Sequence, residues 1–533
     1  MESHFCDLRE GRPHGGPPTR WETGGTDMAY RLQAFSDVGL NEASLALALR
    51  EHETRTTPRL DKLWTYYRNA LEPVARAGSA HGRRASWYTQ PQEVGLPARL
   101  TRPGNPASDD RLRTPRELVI ENDIAWRIHA MVDFLFAKPI RFVSTARNET
   151  TRSAVNTALD AIWEASGGIA LFTDLALLAH VFGHVDLLVR VTESGADFRR
   201  RARGSQPLDI LRAAPPVRVE VIDPRRGIPI LDPSDFRRVL SYIIRFEREE
   251  LELERPADSS AVAGLLASLV GARTSRRKRS IHAEFISPDF HHIYENERLS
   301  SADETPWTGG RIPVVHIQNV SQPLHYSGIG EVEPLIPLQD ELNTRLSDRA
   351  YRLSMQSFKM YLCKGLGSPD ALSIGPGVML ATDDTQASIQ TFGGDAETPS
   401  EDAHFEAVRN ALDKLSGVPP LATGVVQGKV GNLSSAMALK VTLMGLLGRT
   451  ARKQVTYGRG LAEASRLILA ALDHLDILKT SEIDRSVRID WPDPLPIDDR
   501  EQVQVAEAKL RLGVTQKQIH QELGYTPTDD GAV

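Results

Sequence analysis

Between residues 327 and 358 the apolar positions Leu335, Leu338, Leu342, Leu346, Ala350 and Leu353 recur at steps of three and four, which lays one stripe along a helix. Pro334 and Pro337 fit its first turn, where backbone N–H groups have no intrahelical acceptor. The opposite face carries Glu341 with Arg345 and Asp348 with Arg352, each acid four residues before its base, the favourable orientation for exposed pairs. The pattern predicts an amphipathic helix of about twenty residues that starts sharply after a glycine-containing loop.

The same reading places other elements along the chain. Residues 41–53 and 58–71 read as two helices, the second with Leu60, Leu63, Tyr66, Tyr67 and Leu71 near one face; residues 72–113 read as loop. Thr114-Pro115-Arg116-Glu117 has the form of a capping box with proline at the first helical position, so a helix is expected from there to just before Lys138-Pro139. Strands follow at 140–144, 185–191, 217–223 and 238–246, with helices at 150–166 and 169–180. An acidic stretch (247–254) and a basic one (273–279) flank an apolar run at 261–272, and the block reads as an insertion in a strand connection. A short strand at 311–319 leads into the glycine loop. Beyond the central helix, short strands are expected at 359–362, 377–382 and 388–392 among Gly/Pro turns, then a helix at 401–415. A loop with three glycines spans 421–432, and Ser434 or Ser435 caps a long helix to Leu475, interrupted at most at Gly458 and Gly460. A strand at 487–491 and helices at 500–511 and 515–522 close the chain. Residues 1–27 show no period and read as a flexible arm. The fold class is α+β and helix-rich, with no internal repeat.

Composition narrows the function. A chain of 533 residues, 41% hydrophobic and 25% charged, is that of a folded protein of several structural units. With 64 basic and 70 acidic residues its formal charge is −6, which argues against a broad basic grip on nucleic acid. It permits a conduit, through which DNA must slide and so be bound weakly. Cys6 and Cys363 support neither a disulfide framework nor a cysteine-based zinc site. No apolar leader is expected at 1–27, and the run at 261–272 is well short of the ~20 residues of a membrane span.

Gly424-Val425-Val426-Gln427-Gly428-Lys429 resembles a phosphate loop only superficially: the spacing between glycines is one residue short and Val430 stands where Ser or Thr would reach magnesium. His180 and His184 have the spacing of zinc ligands, but Val181 replaces the glutamate of HExxH and Gly183 ends the helix. His291 and His292 are adjacent and point apart in a strand. Arg276-Arg277-Lys278-Arg279 reads as a solvated basic face, with binding to nucleic acid or an acidic partner as the minority reading. No nucleophile elbow is present, and nothing in the sequence makes a positive case for an enzyme, a cofactor or a metal.

The order of elements, from strand to glycine loop, spaced-leucine helix, short strands, second helix, glycine-rich loop and long helix, resembles the portal proteins of tailed bacteriophages, with their prophage and gene-transfer-agent relatives. Pro313, Asn319, Gly328, Gly330, Leu338, Asn343 and Ser347 carry the resemblance, as do Asn122, Val132-Asp133 and Lys138-Pro139-Ile140. It covers roughly residues 30–525 and rests on a pattern of elements. It implies a portal-type fold whose copies close into a ring, usually a dodecamer, with a central channel. Residues 28–326 would be the wing, including the insertion at 247–279; 327–358 and 401–416 the stem helices around a clip at 359–400; 417–433 the channel loop; 434–475 a helix leading to wing and crown; 476–499 a returning wing strand; and 500–533 a crown-like end. The resemblance also implies double-stranded DNA passing in and out, with Gln427, Lys429, Asn432, Lys359 and Lys364 lining the channel and Gly424, Gly428 and Gly431 keeping the loop pliant. Expected partners are the terminase large subunit, head-completion or adaptor proteins, and the major capsid and scaffolding proteins. The expected place is the portal vertex of the virion, after assembly in the host cytoplasm. Two rival readings stand beside it: a nucleotide-dependent packaging enzyme, and a non-viral oligomeric scaffold.

Overall fold

The computed structural model describes residues 30–73, 88–101, 118–201, 203, 207–253, 275–357, 360–364, 388–392, 399–423, 436–495, 499–516 and 518–519. After a 3-10 turn at Leu32–Val38, helix α1 (Glu42–Glu51) opens on a capping box in which Asn41 Oδ1 accepts from the Ser44 amide and Ser44 Oγ accepts from the Asn41 amide. The two helices expected at 41–71 form one rod, because a π-turn over His52–Thr56 joins α1 to α2 (Thr57–Arg68). Pro58 has no N–H to offer the carbonyl four residues back, and the helix widens there instead of stopping. Leu60, Leu63, Tyr66 and Tyr67 are buried as predicted, but Leu71 lies beyond the left-handed Asn69 that ends α2 and is 49% exposed. Residues 72–113, read as loop, include a 3-10 turn at Pro91–Gly95 and a short helix at Ala98–Thr101 among those described.

Helix α3 (Asp123–Phe136) starts later than the Thr114–Glu117 pattern predicts; that pattern lies outside the described residues, and Asn122 caps the helix. Residues 118–122 are not helical because other side chains take their amides. Ser347 Oγ accepts from Val119 N (3.0 Å), Asn343 Oδ1 from Glu121 N (3.0 Å), and Gln339 Oε1 from Ile124 N (3.2 Å). These acceptors sit four residues apart on the central helix, so one polar row holds an extended strip against it.

Strand β1 (Arg141–Ser144) and helices α4 (Glu149–Ala165) and α5 (Gly168–Phe182) follow, and α5 ends at Gly183 with φ 94°. Then come β2 (His184–Val191) and β3 (Val217–Ile222). An antiparallel meander of β4 (Gly227–Leu231), β5 (Val239–Leu253), β6 (Ser275–Ile286), β7 (Phe290–Glu295) and β8 (Arg298–Glu304) forms a five-stranded sheet. The expected insertion at 247–279 is corrected here. Its acidic and basic flanks are the outer ends of β5 and β6, in register with Glu249 opposite Arg279, Glu250 opposite Lys278 and Glu252 opposite Arg276. Opposite charges facing across a ladder stabilise the pairing; only 254–274, outside the described residues, remains between the two strands.

Strand β9 (Val314–Gln318) joins β2 and β3 in the order β9-β2-β3. The central helix α6 (Ile336–Ser357) begins after a 3-10 turn at Glu333–Leu335, so Pro334 lies in that turn, Pro337 in the first turn of the helix, and residues 327–332 are not helical. It leads to β10 (Met360–Lys364), which pairs with β11 (Ser388–Phe392), then to α7 (Pro399–Ser416). The long helix is α8 (Ala436–Thr442) followed at once by α9 (Met444–His474), and neither Gly458 nor Gly460 interrupts it. Gly460 serves close approach: a Cβ there would lie 2.3 Å from Ile317 Cγ1 of β9. Strand β12 (Val487–Asp490) returns to pair with β1, and α10 (Asp499–Arg511) follows.

One large apolar core unites α2, α3, α4, α5 and α9 with β2, β3 and β9, and reaches into the α6–α7 pair through Leu342, Val408 and Leu412. A second cluster packs α1 on the five-stranded sheet, and a third fills the space between the two sheets. Asn343 is fully buried, with its amide donating to Gln92 Oε1 (3.0 Å) while its oxygen holds Glu121 N. Asn343→Ala strands both partners, and denaturant unfolding should show a loss of about 2–3 kcal/mol, with the midpoint shifting at constant slope.

Candidate functional site

Seven of the eight residues expected in the channel (Gln427, Lys429, Asn432, Gly424, Gly428, Gly431 and Lys359) lie outside the described residues. Lys364 ends β10, opposite Ser388 of β11. What the structure defines is the frame from which these residues are presented: the α6–α7 pair, the segment after α7, and the start of the α8–α9 helix.

The α6–α7 pair combines an apolar contact with a ladder of charges. Arg349 meets Asp402 at 3.1 Å, His404 meets Glu341 at 3.0 Å, and Arg352 reaches Glu401 on α7. Glu341 and Arg345 form the expected pair at 2.7 Å, while Asp348 sits 3.6 Å from Arg345. Half-exposed pairs of this kind contribute roughly 0–1 kcal/mol each. They set the register of the two helices, and the buried Leu342 and Leu412 supply most of the adhesion.

Where α7 ends, the chain turns at Gly417 (φ 70°) and Val418 sinks between Ala130, Met131 and Leu446. Arg127, on the buried side of α3 with a side chain 3% exposed, grips this turn. It donates to Ser416 Oγ (3.1 Å) and to the Val418 carbonyl (2.8 Å), and pairs with Asp413 (2.7 Å) and Asp123 (3.3 Å). From the other side, Arg449 of α9 donates to the Leu415 carbonyl at 2.6 Å and to Glu331 at 3.0 Å. Glu331 also pairs with Lys453 at 2.7 Å, both side chains almost wholly buried. Burial pulls the Lys453 ammonium below its ordinary range, and the Glu331 carboxylate opposes that shift. Three segments thus meet on few side chains: the loop before α6, the end of α7 and the long helix.

That loop is held by a backbone crossing. A Cβ on Gly183 would come 2.4 Å from the Gly328 carbonyl oxygen, and one on Gly328 would come 2.6 Å from the Gly183 oxygen. Asn319 completes the crossing: its amide N donates to the Gly183 carbonyl, and its side-chain oxygen accepts from the Tyr457 hydroxyl at 3.0 Å. The glycines and Asn319 singled out in the sequence therefore act as a joint.

The histidine pairs are placed apart. His180 Nδ1 lies 2.6 Å from the Ala176 carbonyl inside α5, whereas His184 opens β2 beside the His316 ring, with centroids 5.5 Å apart. Burial lowers His184 to about 4 and carries His180 well below its ordinary value, with Lys453 adding to the shift. His291 meets Glu284 at 2.7 Å, while His292 packs edge-on against Phe35. Among the described residues no group of three or more potential ligands is placed to hold a metal.

The sequence reading missed Arg127, Glu331, Arg449 and Lys453. Two of them carried a signal: Arg127 interrupts the apolar face of IAWRIHAMV, and Lys453 falls on the stripe of Leu446, Tyr457, Leu461 and Ala464. A charge inside an apolar stripe needs a buried partner.

Comparison with known proteins gives one broad match. The family model described as phage portal protein, SPP1 Gp6-like, matches residues 47–526. No curated protein matches the chain. Among solved structures, a chain of "Virion of native gene transfer agent (GTA) particle" is 12% identical with a TM-score of 0.39, covering 76% of this chain and 89% of that one. A chain of "Neck of empty GTA particle computed with C6 symmetry" is 13% identical with a TM-score of 0.40, covering 76% and 90%. A chain of "Neck of native GTA particle computed with C12 symmetry" is also 13% identical, with a TM-score of 0.37 and the same coverage.

Two outcomes test the joint. Lys453→Met leaves the Glu331 carboxylate buried beside Arg449 alone, and calorimetric or denaturant unfolding should show a loss of about 3 kcal/mol or more. Because folding depresses His184, its contribution is complete above its unfolded pKa of about 6.5 and is lost as pH falls through about 4. The unfolding free energy followed from pH 7.5 to 4 should therefore fall on acidification, and by about 3 kcal/mol less in His184→Gln.

Proposed function

The chain belongs to the SPP1 Gp6-like family of phage portal proteins and is a portal vertex protein, and we propose that its copies close into a ring with residues 417–433 turned toward the DNA channel. The observation that carries this reading is the doubly gripped turn after α7. Arg127 and Arg449 bind Leu415, Ser416 and Val418 from opposite sides, so a segment containing Gln427, Lys429 and Asn432 departs from a fixed root. Loops that meet a ligand work from rigid scaffolds of this kind.

In this reading residues 28–326 form the wing, α6 and α7 the stem, 359–400 the clip, 434–475 the helix leading outward with 476–499 returning to the wing, and 500–533 a crown-like end. Head-to-tail contacts between copies close the ring, and short clip strands pair with a neighbour's. Gln427, Lys429 and Asn432, with Lys359 and Lys364 at the stem–clip boundary, meet phosphates weakly and without sequence preference, while Gly424, Gly428 and Gly431 let the loop yield as the duplex slides. The family is structural, and in this reading the chain catalyses nothing: the terminase large subunit docks at the clip and supplies the work, and head-completion or adaptor proteins follow once the head is full. Assembly with capsid and scaffolding proteins in the host cytoplasm leaves the ring at one vertex of the virion.

Electron microscopy of the purified protein should show rings, dodecameric in the first instance, with an axial hole wide enough for duplex DNA; a monomer or compact dimer under assembly conditions would overturn the proposal. Lys429→Ala should assemble normally and lower DNA packaging or retention several-fold in a packaging assay. Loss of ring formation in that variant would make Lys429 a structural residue instead.

A further inference from the structure

Strand β9 is an outer strand of its sheet, paired only with β2. The phase of that pairing is set by two bonds, Asn319 N to the Gly183 carbonyl and Val189 N to the Pro313 carbonyl, both 2.9 Å. In an antiparallel ladder alternate residues bond to the same neighbour, so Val315 and Ile317 face β2 and the backbone groups of Val314, His316 and Gln318 face away from it. Among the described residues nothing bonds to those outward backbone groups.

The free edge is the floor of a groove of about 590 Å³, walled by α9 on one side and by residues 236–239 and 321–326 on the other. That is room for a single extended strand of a few residues. The one acid of the groove, Glu463, is already paired with Arg311 at 2.7 Å. Arg459 and Arg237 are exposed and have no acidic partner among the described residues. An open edge with unmade hydrogen bonds is a template for strand addition, and here its walls carry uncompensated positive charge.

We propose that this groove binds residues 523–530 of the protein itself as an added strand on β9. The segment from 520 to 533 holds Glu522, Asp529 and Asp530 and no lysine or arginine, the charge the groove lacks. Tyr525, Thr526 and Thr528 favour extended structure. With Thr526 and Thr528 bonding to β9, Pro527 turns its missing N–H to solvent, the position an edge strand allows. The other acidic segments outside the described residues that lack Lys and Arg are each tied at both ends: 365–387 between β10 and β11, 393–398 between β11 and α7, and the three residues 496–498 just before α10.

Hydrogen–deuterium exchange of the full-length protein, followed on a peptide spanning 313–319, tests this without reliance on the portal reading. In the wild type the amides of Val314, His316 and Gln318 should exchange at least tenfold more slowly than in Arg237→Glu/Arg459→Glu or in a chain ending at Ile519. Adding Asp529→Arg and Asp530→Arg to the double variant should restore protection. Equal exchange in the wild type, the double variant and the shortened chain would overturn the proposal, as would protection that survives removal of 520–533.

Discussion

The buried pair of Glu331 and Lys453 is the contact on which the rest of the arrangement depends. Each ion would cost several kcal/mol to bury alone, and together they are acceptable only at close range with their remaining valences filled. Arg449 fills one of them and carries the contact on to the Leu415 carbonyl. The loop before α6, the end of α7 and the long helix can therefore move only together, or by breaking a buried charge pair. Such pairs contribute little net stability compared with apolar packing, and their use here is to fix one geometry among several that an apolar contact would tolerate.

The glycine crossing works in the same sense by steric means. Gly183, Gly328 and Gly330 let two backbones pass at a distance no side chain permits, which brings Glu331 within reach of α9. Beside the crossing, Gly460 lets α9 lie directly on Ile317. Small residues thus set the positions, and the charges then lock them. The polar row of Gln339, Asn343 and Ser347 applies the same economy to α6, whose buried face binds a strip of backbone where an amphipathic helix would ordinarily offer only hydrocarbon.

The electrostatics divide by depth. On the α6–α7 pair, and at Glu249 and Arg279 of the β5–β6 ribbon, opposite charges meet in partial exposure, where salt screens them and each pair is worth little. At Arg127, Glu331, Lys453 and Glu284, the last paired with Arg190, they meet in the interior, where an unmatched partner is costly. The turn after α7 is held by this second class of contact, with Arg127 and Arg449 fixing Leu415, Ser416 and Val418.

The sequence by itself determined the elements with strong periods and punctuation. The leucine stripe of α6, the stop before Pro139, the helix end at Gly183 and the strand–loop–helix order were all legible, because local backbone preferences and a single apolar face dictate them. It also determined the family pattern, carried by Pro313, Asn319, Gly328, Gly330 and Asn343. Tertiary structure alone decided where α3 begins, since the acceptors at Ser347, Asn343 and Gln339 lie more than two hundred residues away. It alone showed that the acidic and basic runs are one ribbon, because cross-strand register is not encoded in either run. It alone joined Arg127 to Asp413 and Lys453 to Glu331. A charge on an apolar stripe announces that a partner exists, but only the packed chain says which one.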